Sequence, residues 1–99
     1  MSLRDDIEYQ DESIVSREIL KKEHGTVTLF AFDEGQGLSE HTAPFDALIQ
    51  IIEGQAEVTI GGKAQTANEG DLVTMPANIP HAVQAQQRFK MLLVMIKSQ

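Results

Sequence analysis

The chain has 99 residues, room for one domain with a small core. Its net charge is −7 and Lys21-Lys22 is its only basic pair, so a phosphate backbone is not an expected partner. It has no cysteine, which excludes disulfides, thiolate catalysis and cysteine-held zinc or iron–sulfur centres. Apolar residues make up 41% of the chain, too many for a disordered segment. No stretch approaches the roughly 18 apolar residues needed to span a bilayer. Met1 to Asp6 carries no apolar run of the signal-peptide kind. The expectation is a cytoplasmic protein with no membrane or nucleic-acid contact.

Residues 1–13 are polar and acidic, with Ile7 and Tyr9 as apolar anchors, and read as an N-terminal arm. Residues 14–99 read as a single domain. Ile14 to Leu20 suits strand or helix, and strand is favoured by its surroundings. Thr26 to Asp33 is β-branched and aromatic, and Glu34 to Gly37 is a turn. Leu38 to Thr42 is a short strand, broken by Pro44-Phe45-Asp46. Ala47 to Glu53 is a strand ending at Gly54, and Gln55 to Ile60 follows as another. Gly61-Gly62 is a hairpin signal, with Lys63 to Ala67 returning. Asn68 to Asp71 turns into a strand at Leu72 to Met75. Pro76 to Pro80 is a loop, and His81 to Ala85 and Phe89 to Lys97 complete the set. Short strands with turns every 8–12 residues or so predict an all-β sandwich or barrel with little or no helix.

Three of these strands are apolar on both faces: Val27 to Phe32, Ala47 to Ile52 and Met91 to Ile96. One face fills the interior and the other needs a cover. A homodimer burying the outer faces is the expected cover. The other solution is the N-terminal arm and first strand of the same chain.

Two segments carry spaced motifs. Gly35 is followed after five residues by His41, and Gly54 stands 13 residues further on. Gly70 is followed by Pro76 and then by His81. At these spacings the chain resembles the cupin superfamily, in particular its small stand-alone single-domain members, over roughly Val27 to Ile96. The motifs span residues 35–54 and 70–85, and the resemblance implies a jelly-roll barrel of two antiparallel sheets. The family's first motif is G-x5-H-x-H-x3-E-x6-G. Here Ala43 stands in place of the second histidine and Ala47 in place of the glutamate. The second motif is G-x5-P-x-G-x2-H-x3-N. Here Asn78 replaces the middle glycine and Ala85 the final asparagine. Asn tolerates left-handed backbone well, so the change at 78 is mild.

The family's metal site is therefore half kept. His41 and His81 occupy two of its four ligand positions. Strand parity turns His41, Ala43, Ala47, Ile49, Ile51, His81, Val83 and Ala85 toward the interior. Glu40 and Asp46 are one residue off that register and point outward unless a bulge intervenes. Asp46 is the nominee for a third ligand, because Pro44 makes its loop irregular. With it, zinc, iron, manganese or nickel is a candidate cofactor, and a dioxygenase or isomerase is the alternative function. Without it, the interior is an apolar pocket for a small molecule, lined by Ala43, Ala47, Ile49, Ile51 and Val83. His41 and His81 are its polar handles. Epimerase-type acid–base chemistry lacks an inward carboxylate. The stretch before the barrel is too short for a DNA-binding unit. His24 reads as a surface residue, Met75, Met91 and Met95 as core filling. Tyr9, the only tyrosine, has the barrel mouth within reach of the arm.

Overall fold

The computed structural model describes residues 1–97. Among them there is no helix, and hence none long and apolar enough to cross a membrane. Eight strands follow in order: β1 (Ile14–Lys22), β2 (Gly25–Phe32), β3 (Gly37–His41), β4 (Phe45–Ile60), β5 (Lys63–Asn68), β6 (Leu72–Met75), β7 (His81–Gln84) and β8 (Phe89–Lys97). All pairings are antiparallel. One sheet runs β1-β2-β8-β4-β6 and the other β3-β7-β4-β5.

The two sheets share β4. Its first half, to Gly54, pairs with β6 and β8, and its second half pairs with β5 and β7. The expectation of separate strands either side of Gly54 is thus corrected to one 16-residue strand that changes sheet. The change shows in its parity. Ala47, Ile49 and Ile51 are buried on odd positions, Ala56 and Val58 on even ones. A bulge between Ile51 and Glu53, followed by Gly54 at φ 80°, supplies the extra residue and the bend. Without that extra residue, an inward-facing first half would force an outward-facing second half.

Between the sheets lies the main core, which includes Ile49, Ile51, Val58, Val83 and Met91. Phe32 and Phe89 stack in it at 4.5 Å between centroids. A second, smaller cluster sits on the outside of the larger sheet. There Ile7 of the arm covers Leu29 and Ala31, with Leu3, Tyr9, Ile52 and Leu92 around them.

Polar contacts tie the arm down. The Tyr9 hydroxyl donates to Glu53 Oε2 at 2.6 Å, and Arg4 Nε donates to Glu53 Oε1 at 3.0 Å. The cations of Arg88 and Lys90 lie 5.2 and 5.1 Å from the Tyr9 ring centroid. Arg88 also donates to Asp33 at 2.7 Å and to Asp11 at 2.9 Å. Tyr9 is therefore committed to this latch and lines no part of the histidine cavity.

The latch shifts its carboxyls. The Tyr9 hydrogen bond, then those of Arg4 and the charge of Lys90, hold Glu53 below the usual carboxylate range against its desolvation. Arg88, then the Glu12 amide, do the same for Asp33. Burial, reinforced by Glu53, pushes the Tyr9 phenol up. With folded-state carboxyl pKa values below the unfolded ones, the unfolded chain takes up protons first. This contribution is complete above about pH 5 and is lost as the pH falls through the lowered values. Urea midpoints should accordingly drop between pH 6 and pH 3, and the drop should flatten in Tyr9→Phe. An equally steep drop in that variant would show that the phenol does not hold Glu53.

Candidate functional site

At the end of the barrel formed by β3 and β7, His41 and His81 are direct cross-strand partners. Their ring centroids are 4.4 Å apart, edge to face at 67°. Each Nδ1–H donates to the main-chain carbonyl two residues earlier, His41 to Ser39 at 2.8 Å and His81 to Ile79 at 3.3 Å. A carbonyl only accepts, so Nδ1 carries the proton and Nε2 keeps the lone pair in each neutral ring.

Below this pair lies a cavity of about 60 Å³. His41, His81, Ala43, Ala47, Ile49 and Val83 all line it. Ile51 does not: it is 1% exposed and packs deeper in the core. Leu38, Phe45, Met75, Met91, Leu93 and Met95 line it as well. For β8 the missed signal was the alternation Met91, Leu93, Met95, which places all three on the inward face once Phe89 is inward. The walls are apolar apart from the two imidazoles.

Asp46 lies off the cavity. Its Oδ1 accepts from the Ala77 amide at 2.9 Å, and it pairs with Ile96 on β8. Its work is to pin the loop that leads into His81. The same loop is held by the Asn78 amide donating to the Ala43 carbonyl at 2.9 Å, with Asn78 at φ 65°. Asparagine thus fills the left-handed position in which the family motif has glycine. Glu40 is exposed and lines no part of the cavity, and His24 is a surface residue between β1 and β2.

The metal that the resemblance implies needs at least three protein donors. Among the described residues no three His, Cys, Asp or Glu side chains come together. Two imidazoles without a carboxylate fall short of the three protein ligands of a catalytic zinc site. They also lack the third member of the two-histidine, one-carboxylate triad. The residues present do not fit the family's hard divalent site.

Comparison with known proteins agrees with this architecture. Residues 28–96 match the family model described as Cupin domain. A conserved protein of unknown function from Streptococcus pyogenes is 34% identical, with a TM-score of 0.95 over 100% of this chain and 87% of that one. A Cupin 2 conserved barrel domain protein from Leptotrichia buccalis is 38% identical, with a TM-score of 0.88. That match covers 92% of this chain and 44% of the other, so this chain spans less than half its length. A cupin superfamily protein from Desulfitobacterium hafniense is 26% identical, with a TM-score of 0.95 over 99% and 90% of the two chains. No curated protein matches. The family match over most of the chain, the two-sheet barrel and the histidine pair at its motif positions make this chain a member of the cupin superfamily.

Proposed function

We propose that this barrel binds a small molecule in its interior and retains only a degenerate form of the family's metal site. The observation that carries this reading is the paired imidazoles at the mouth of an otherwise apolar cavity. Apolar walls with a few convergent polar groups are the usual make-up of a ligand site. The neutral rings present two Nε2 lone pairs, so the favoured ligand is apolar with a hydroxyl or N–H donor. As it stands the cavity admits few heavy atoms, and the methionines in its wall are the side chains best able to repack around more. A metal-dependent enzyme is less well supported, since its nominated third ligand, Asp46, is occupied by Ala77.

A thermal-shift screen of small donors on the wild type, His41→Ala and His81→Ala tests this. Stabilising compounds should lose about tenfold in affinity in either variant, the worth of one well-made hydrogen bond. His41 is exposed, so His41→Ala should change stability by about 0.5 kcal/mol or less. Unchanged binding with a large stability loss would assign the histidine to packing. We further infer that the working form is a homodimer, two copies meeting on the outer face of the larger sheet.

A further inference from the structure

Position 47, where the family motif has its glutamate, is flanked by two methionines. Ala47 pairs across the sheet with Met75 of β6 on one side and Met95 of β8 on the other. Directly paired residues share a face, with Cβ atoms about 4.5–5.5 Å apart. Both methionines therefore flank position 47, and both line the cavity with His41 and His81. The chain has four methionines, and the three beyond Met1 all line this one cavity. On the other wall, the two carbonyls that hold the Nδ1 protons leave each Nε2 as a ready donor atom. Such carbonyl-oriented imidazoles are the usual arrangement of ligating histidines.

We propose that the cavity is a site for a soft monovalent cation, copper(I), held by Nε2 of His41 and His81 and by the sulfurs of Met75 and Met95. Thioethers select soft ions, and imidazole suits copper. All four donors are neutral. A divalent ion would keep its full charge in an apolar surround, and the Born cost rises with the square of the charge, about fourfold over a monovalent ion. The volume points the same way. About 60 Å³ suits an ion, whereas pockets for drug-sized ligands run from roughly 300 Å³ upward. This site goes beyond the small-molecule reading and does not rest on it.

The test is an anaerobic titration of the whole chain with copper(I) against a chromophoric copper(I) chelator, with silver(I) as a redox-inert check. One equivalent should bind, and X-ray absorption should show both nitrogen and sulfur neighbours. Met75→Leu and Met95→Leu nearly conserve volume, so their unfolding midpoints should stay close to that of the wild type. Each should weaken copper(I) binding at least about tenfold, the loss that even outer-shell partners cause. Zinc(II) affinity should be weak and the same in all three proteins. A chain that cannot compete with the chelator overturns the proposal. So does copper(I) binding that is indifferent to both leucine substitutions, or a spectrum without sulfur. The ion and a small molecule would draw on the same two Nε2 atoms in one cavity, so the thermal-shift screen is run on metal-free chain, and there each reading fails on its own result.

Discussion

Gly54→Ala is expected to destabilise the fold by about 3 kcal/mol or more, close to the upper end for a single methyl group. Two effects combine there. Gly54 sits at φ 80°, a region costly for any side chain. A Cβ at this position would also fall far inside contact distance of the Arg88 carbonyl oxygen, and 3.0 Å from Phe89 Cβ. Neither neighbour can give way easily. The Arg88 carbonyl is main chain, and Phe89 is fully buried and stacked on Phe32. Relief would have to come from parting β4 and β8 at the point where β4 changes sheet, which the whole barrel depends on.

A second substitution separates the two effects. Gly70 has φ 90° and open space around its would-be Cβ, so Gly70→Ala carries the conformational strain alone. It should cost about 1 kcal/mol. Urea unfolding of both variants measures the difference. A Gly54→Ala protein no less stable than Gly70→Ala would mean that β4 is not pressed against Arg88 and Phe89.

Most of this architecture is legible in the sequence because its strands are short and separated by strong turn residues. The Gly61-Gly62 hairpin and the alternating β7 need only local rules. Gly54 was harder for a physical reason. Glycine ends strands and also bends them, and only the register with β8 and β5 distinguishes the two. The parity change from Ile51 to Ala56 does lie in the sequence, but it has no meaning until a bulge is placed. The site divides in the same way. Motif spacing and parity locate His41, His81 and the residues opposite them. The pairing of Met75 and Met95 with Ala47 depends on strand order, which a single sequence does not express. Asp46 shows the limit of argument by slippage. Its loop is irregular, yet the free amide of Ala77 offers the carboxylate a nearer partner than the barrel interior does.

Leu48→Asp is expected to convert a dimer into a folded monomer. The arm covers the outer face of the larger sheet only in part. Leu29, Leu92 and Ile52 lie beneath it. The next row does not: Leu20, Val27, Val94 and Leu48 are successive cross-strand partners over β1, β2, β8 and β4. Leu20 is 49% exposed, and Ile96 and Leu72 beside the row are 55% and 61% exposed. A contiguous apolar strip of this kind marks an interaction surface more often than a bare one. A second copy is the occupant that its charge favours. Each chain carries −7, and this row holds none of its 15 acidic residues. The Asp46 carboxylate, in the neighbouring row opposite Ile96, is taken up by the Ala77 amide, so two copies related by a two-fold axis can meet on this row with no acidic residue within it. An aspartate at Leu48, in the middle of the row, would set two charges face to face in an apolar contact. Sedimentation should give the wild type about twice the 10.9 kDa chain mass and Leu48→Asp the chain mass alone. The side chain points away from the barrel core, so the variant's fold should survive the change. A monomeric wild type would return the strip to solvent. A dimeric Leu48→Asp would move the interface elsewhere, with the edge strand β3 beside His41 the next surface to test.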